Sequence, residues 1–358
     1  MRKRIITVVL CIIFFLLGAG LITFLVYKYP TETVRTITEK NVNITDTGIK
    51  EAVAKVEDSV VVVETYNKNT LTSTGSGFVF KTDKEYAYIM TNHHVIENDG
   101  TLTITFTNGT KTDASIVGSD AFADIAVLKV EKDKIISVAS LGSSIDAQKG
   151  DTVFVIGSPM GIEYSGTVTK GILSGKDRLV TVSISGYTND WIMNVMQTDA
   201  AISPGNSGGP ICNANGEIIG IVSLKIVEST VEGIGFAIPI EDALNFANQL
   251  IEEGTIRRPY IGVSMINASN RYELAYEGIS INKNVTEGVV LAEIQNESPS
   301  SNAGLKRGDI IVKVGDYTVK DIAEFRYRLY SHKIGDTIDL EIIRDGKSKT
   351  VKITLGSK

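Results

Sequence analysis

A chain of 358 residues exceeds what one small hydrophobic core organises, so two folded units with additional segments are expected. The formal charge is −6, and because the acid-free first segment holds Arg2, Lys3, Arg4 and Lys28, residues 29–358 carry −10. An acidic body of this kind argues against nucleic acid as a partner, and with Cys11 and Cys212 as the only cysteines, Cys11 inside an apolar run, an intrachain disulfide is not expected.

Residues 5–27 form an uncharged, apolar run that as a helix spans about 34 Å, enough to cross a hydrocarbon core. The competing reading is a cleaved signal peptide with Gly18-Ala19-Gly20 near its cleavage site, but residues 21–27 continue apolar beyond those small residues. Residues 1–27 are therefore expected to be a cytoplasmic tip and a membrane anchor. The basic residues before the span keep the N-terminus inside and send the remainder outside the cytoplasm. Residues 28–50 are polar and Thr-rich, which predicts a flexible linker.

Short strand-like runs follow at 60–65, 76–80, 86–90, 102–106, 125–130 and 152–156, and the 33 glycines favour tight turns between them. Asn108-Gly109 and Asn215-Gly216 each stand between apolar runs, a strong hairpin signal. This pattern predicts a mostly β barrel or sandwich over residues 51–255, closed by a helix over 241–253 that stops at Gly254. Arg257-Arg258-Pro259 marks a boundary, and residues 259–358 form a second unit. Its strands are expected near 289–294, 310–314, 337–343 and 349–355, with helices near 270–276 and 322–331.

Three segments combine the residue types of one chemistry: Thr91-Asn92-His93-His94-Val95, Ala123-Asp124-Ile125, and Pro204-Gly205-Asn206-Ser207-Gly208-Gly209-Pro210. A serine hydroxyl is a weak nucleophile until an adjacent base takes its proton, and the base in turn needs a carboxylate to fix its tautomer. Ser207 supplies the hydroxyl, His93 or His94 the base and Asp124 the carboxylate. Glycines around Ser207 let backbone N–H groups, those of Gly205 and Ser207, converge on an oxyanion. Each segment alone is explained as readily by an ordinary turn, a strand cap or a structural histidine. Their occurrence together, in the order His, Asp, Ser within one β-rich stretch, favours the catalytic reading. No cluster with metal-ligand spacing is present and the chemistry needs no cofactor.

TNHHV, ADIAVLKV and QTDAAISPGNSGGP, 30 and 83 residues apart at His94, Asp124 and Ser207, resemble the corresponding segments of the HtrA (Deg) family. The similarity runs from about residue 49 to the C-terminus, and the layout resembles the membrane-tethered bacterial members with a single PDZ domain. The resemblance implies a chymotrypsin-like double β-barrel followed by a PDZ domain, and it selects His94 over His93, since the family's base directly precedes the Val. It places the floor of the primary specificity pocket at Ala201, six residues before the nucleophile, with Ile234 on the other wall. Cleavage after small or medium aliphatic residues is expected. Residues 175–190 correspond to a regulatory loop in which Arg178 relays activation.

Tyr260-Ile261-Gly262-Val263 resembles a PDZ carboxylate-binding loop, and Ala303-Gly304-Leu305-Lys306-Arg307-Gly308-Asp309 resembles the PDZ core signature. C-terminal peptides are the implied ligands, with Ile322 favouring an apolar ligand residue. The resemblance also implies unfolded or regulatory envelope proteins as substrates and a homotrimer as one assembly. The competing function is a catalytically idle scaffold or chaperone bearing a PDZ domain.

Overall fold

The computed structural model describes residues 46–98, 100–159, 161–183, 191–223 and 233–357, together with positions 16, 17 and 19. The expected anchor therefore lies outside the described residues except at Leu16, Leu17 and Ala19. Among the described residues no helix is long and apolar enough to cross a membrane.

The first barrel is built from β1 (Val60–Asn67), β2 (Thr70–Thr82), β3 (Tyr86–Thr91), β4 (Thr101–Thr105), β5 (Lys111–Asp120) and β6 (Ile125–Glu131). The strands close in the order β1-β2-β3-β6-β5-β4, all neighbours antiparallel. A second barrel uses β7 (Thr152–Gly157), β8 (Thr167–Val182), β9 (Trp191–Thr198), β10 (Pro210–Asn213), β11 (Ile218–Val222) and β12 (Gly235–Pro239). Its order is β10-β11-β12-β9-β8-β7. Closure removes the unpaired edges that runs such as Val60-Val61-Val62-Val63 would otherwise expose, and all four of these valines are buried.

Two expectations about local structure are corrected. The expected linker runs to residue 50, but helix α1 (Asp46–Val56) already begins at Asp46. It buries Ala52 and Val56, and a side chain at Gly216, in the β10–β11 turn, would collide with the Ala52 carbonyl. Residues 175–182 are not loop: they extend β8, pairing with β9 at Gly175↔Gln197 and, past a bulge at Lys176 and Asp177, from Arg178↔Val195 to Val182↔Trp191. Residues 184–190 of that segment lie outside the described residues.

A short helix α2 (His93–Ile96) follows β3, and α3 (Ile240–Glu253) follows β12. Helix α3 buries Ile240, Ala243, Ala247 and Leu250, the spacing of one helical face. It ends where Gly254 takes a left-handed φ of 73° and returns its N–H to the Leu250 carbonyl.

The second unit contains β13 (Pro259–Tyr260), β14 (Val263–Asn267), α4 (Arg271–Tyr276), β15 (Val289–Ile294), α5 (Pro299–Asn302), β16 (Ile310–Val314), β17 (Tyr317–Thr318), α6 (Ile322–Leu329), β18 (Thr337–Arg344), β19 (Lys347–Thr354) and β20 (Gly356–Ser357). Its main sheet runs β14-β15-β16-β18-β19, with Phe325 of α6 and Leu340 of β18 fully buried in the core beneath it. Asp309 of the core signature is buried and accepts two hydrogen bonds from the Arg344 guanidinium, at 2.7 and 2.6 Å. Between the barrels and this unit, Arg258 grips Asp120 with its Nη1 and Nη2 at 2.6 and 2.7 Å and lies over the rings of Phe122, Trp191 and Tyr330.

Candidate active site

Asp124 sits in the turn between β5 and β6 with a φ of 52°, a left-handed conformation that an Asp tolerates better than a branched residue. Its side chain is fully buried, where an unpaired carboxylate would be costly. Three donors satisfy it: His94 Nδ1 at 2.9 and 3.0 Å from the two oxygens, the His94 backbone N–H at 3.2 Å and the Ser223 hydroxyl at 2.6 Å. Its own carbonyl accepts Asn92 Nδ2 at 2.8 Å, which ties the acid's turn to the segment leading into α2.

His94 faces Asp124, whereas His93 Nδ1 lies 3.2 Å from the Ser119 hydroxyl on β5. Successive residues at the start of the short helix diverge, so one of the two rings meets the carboxylate. With Nδ1–H directed at Asp124, Nε2 is left as the proton acceptor on the opposite edge of the ring. The imidazole keeps 24% of its side-chain surface exposed, enough to meet a substrate.

Ser207 occupies the Gly-rich turn before β10 and is buried at 4% exposure. Its carbonyl accepts the Ser76 N–H at 2.8 Å, and the following Gly208 N–H bonds the Val222 carbonyl at 2.9 Å. Gly208, with φ 82°, passes so close to Ser76 and Thr91 that a side chain there would collide with both. The Ser207 turn is thereby pressed against the Thr91-Asn92 stretch two residues ahead of His94. Within the turn, Asn206 N–H bonds the Ser203 carbonyl at 2.9 Å and Gly205 has φ 101°. Pro204 and Gly205 thus fill the two central positions of a type II turn, the residues that turn prefers there.

Around the expected specificity pocket, Ala201 is exposed and its carbonyl accepts the Thr169 hydroxyl at 2.8 Å. Ile234 is 37% exposed. The side chain meeting Gly235 is instead Ile202, whose terminal carbon lies where a Cβ on that glycine would fall, with Thr198 Cγ2 beside it. Arg178 is an exposed residue of β8, and its Nε folds back to within 2.8 Å of the Cβ position at Gly175.

In the second unit, Tyr260 belongs to β13 and its hydroxyl donates to Gln295, while Ile261 is buried in the core. Gly262 has φ 79° and lies against Ser298, so a side chain there would be both strained and obstructed. Val263 opens β14, which pairs with β15 on one side only and leaves its other edge beside α6. Ile322, the first residue of α6, donates its N–H to Asn267 at the far end of β14 from Gly262.

Sequence reasoning did not identify Ser223, Ser76 or Ile202. Ser223 carries no local signal, since a lone serine after an apolar strand is common. Gly75-Ser76-Gly77 does carry one: two glycines bracket a serine in a strand, and Gly75 lies where a side chain would meet Val95.

Two closed six-stranded barrels, with a histidine and a buried aspartate from the first and a serine turn from the second, define the chymotrypsin-like class of fold. The trypsin-like peptidase domain family matches residues 75–221, and the PDZ domain family matches residues 259–355. The chain is 44% identical over 295 residues to the serine protease Do-like HtrA of Bacillus subtilis (strain 168), covering 82% of this chain and 65% of that protein. It thus spans just under two thirds of that relative's length. It is 38% identical to the serine protease Do-like HtrA of Lactococcus lactis subsp. lactis, covering 88% of this chain and 83% of the relative. The crystal structure of the serine endoprotease from Yersinia pestis superposes with a TM-score of 0.63 at 31% identity, over 87% of this chain and 98% of that one. The chain belongs to the HtrA family of serine proteases.

Proposed function

We propose that this chain is a serine endopeptidase that hydrolyses unfolded or regulatory proteins outside the cytoplasm, with Ser207 as nucleophile, His94 as general base and Asp124 as its orienting carboxylate. The observation that carries this reading is the 2.9 Å contact from His94 Nδ1 to a fully buried Asp124.

In the reaction, His94 Nε2 takes the Ser207 hydroxyl proton as the oxygen bonds the peptide carbonyl carbon. The carbonyl oxygen becomes an anion received by the Gly205 and Ser207 N–H groups, and Asp124 stabilises the imidazolium. His94 then gives its proton to the leaving amine as the C–N bond breaks. Water, deprotonated by His94, attacks the acyl-enzyme and frees the acid and the serine. Each oxyanion donor is worth roughly 10²–10³ in rate.

The contact of Ile202 with Gly235 supports a small apolar specificity pocket and cleavage after small or medium aliphatic residues. The unpaired edge of β14 beside α6, with Gly262 at its start, supports binding of a C-terminal peptide as an added strand. The apolar run at residues 5–27 behind Arg2-Lys3-Arg4 supports a bilayer anchor with a cytoplasmic N-terminus. The test is cleavage of unfolded casein by the wild-type chain and by Ser207→Ala. Cleavage lost in the variant is expected, and undiminished cleavage would favour a contaminant and an idle scaffold.

A further inference from the structure

Ser76 is fully buried in β2 and reaches the Gly205–Ser207 turn through more than one group. Its N–H donates to the Ser207 carbonyl at 2.8 Å, and its hydroxyl donates to the Gly205 carbonyl at 2.7 Å. The same hydroxyl oxygen accepts the Ser158 N–H at 2.9 Å, just past the end of β7, and the Ser76 carbonyl accepts the Thr91 hydroxyl at 2.7 Å. A serine hydroxyl has one proton and two lone pairs. With the Ser158 N–H occupying a lone pair, the remaining proton is directed at Gly205.

Peptide geometry makes this consequential. For the N–H groups of Gly205 and Ser207 to face an oxyanion, the carbonyls of the same turn must point elsewhere. Asn206 O is held by the Gly209 N–H at 2.9 Å and Ser207 O by the Ser76 N–H, both backbone bonds that survive most substitutions. Gly205 O is held by a side chain, the Ser76 hydroxyl. Gly205 has no Cβ to resist rotation of its flanking peptides, and the Gly205–Asn206 peptide is held at its N–H by the Ser203 carbonyl and at its oxygen by the Ser76 hydroxyl.

We infer that Ser76 is a positioning residue for the hydrolytic reaction: its hydroxyl fixes the Gly205 carbonyl, and so the Gly205–Asn206 peptide that closes the type II turn and joins the two oxyanion donors, Gly205 N–H within the turn and Ser207 N–H just after it, before substrate arrives. The inference rests on the reading of Gly205 and Ser207 as the oxyanion hole. A purely structural brace between the barrels would change how many molecules fold. A positioning residue changes the rate at each folded site while substrate affinity stays as it was.

The experiment measures fluorescein-labelled casein hydrolysis by the full chain, with sites counted by fluorophosphonate labelling taken to completion. Ser76→Ala is expected to lower kcat per labelled site about 10- to 100-fold, somewhat less than outright loss of an oxyanion donor. KM stays within about twofold, and the acid limb of the pH profile stays in place because the His94–Asp124 pair is untouched. Ser76→Cys, of similar shape but a weaker donor, is expected to fall between serine and alanine, and it carries the test should the alanine variant not fold. A per-site kcat equal to wild type in either variant, or a loss carried by KM or by the number of labelled sites, overturns the inference. If the wild-type chain neither cleaves nor labels, the peptidase reading falls and takes the inference with it.

Discussion

Replacing Ser223 by alanine removes the 2.6 Å hydrogen bond to Asp124 and leaves the carboxylate with the two donors of His94. Both partners are fully buried, so water does not readily take the place of the lost hydroxyl. A hydrogen bond to a charged group contributes about 1.5–3 kcal/mol. Taking about 2–4 °C per kcal/mol for a domain the size of the two barrels, Tm falls by roughly 3–12 °C. A carboxylate freed on one side also orients the imidazole less well, and about 1.4 kcal/mol of lost transition-state stabilisation lowers kcat tenfold. A thermal melt and casein hydrolysis per labelled site measure both quantities, with KM expected to stay unchanged. If Ser223→Ala melts and turns over like the wild type, Asp124 is not held in the way these contacts imply, and the derivation of its role from burial and donor count is wrong.

Ile202→Ala removes the carbon that lies over Gly235, so a peptide library should show kcat/KM for substrates with Leu or Phe before the cleaved bond rising about tenfold relative to Val or Ala, on the scale of one to three kcal/mol for a filled or emptied methylene. An unchanged preference would place the pocket elsewhere. Asp83 accepts the Tyr86 N–H, the Tyr88 hydroxyl and the Glu85 N–H, bonds that hold its carboxyl down at about 2. Its folded value lies below its unfolded one, so the stability it contributes is present above about pH 4 and is lost as the pH falls through about 2. The Tm gap between wild type and Asp83→Ala should therefore be fully open at pH 6 and narrow as the pH is lowered towards 2.5. A gap independent of pH would mean that the carboxylate does not hold this turn.

Much of the fold was legible because local signals and burial agree. Asn108-Gly109 and Asn215-Gly216 form the turns between β4 and β5 and between β10 and β11, and Gly254 ends α3 in the left-handed conformation its position suggested. The pairing of His94 with Asp124 was legible only through motif resemblance, since residue types alone could not separate His94 from His93. What stayed hidden depends on contacts distant in sequence. Helix α1 begins inside a polar, Thr-rich stretch because Ala52 finds cover against the β10–β11 turn and Val56 in a core cluster drawn from both barrels. The resemblance makes residues 175–190 a loop, yet residues 178–182 continue β8 past a bulge at Lys176 and Asp177 because β9 offers a partner for their backbone. Ser76 and Ser223 act across separations of 129 and 99 residues, where no sequence window sees them. Ile202 rather than its neighbour Ala201 meets Gly235, a matter of which way adjacent side chains point.

The central claim is that Ser207 is made nucleophilic by a histidine that Asp124 orients. It is tested most directly by treating the wild-type chain and the variants Ser207→Ala, His94→Ala and Asp124→Asn with a fluorophosphonate and locating the adduct by peptide mass spectrometry. The account predicts a single adduct on Ser207 in the wild type, none in Ser207→Ala, and labelling slowed by about 10³-fold or more in the other two. An adduct on another serine, or labelling of Ser207 at the wild-type rate without His94, would contradict it.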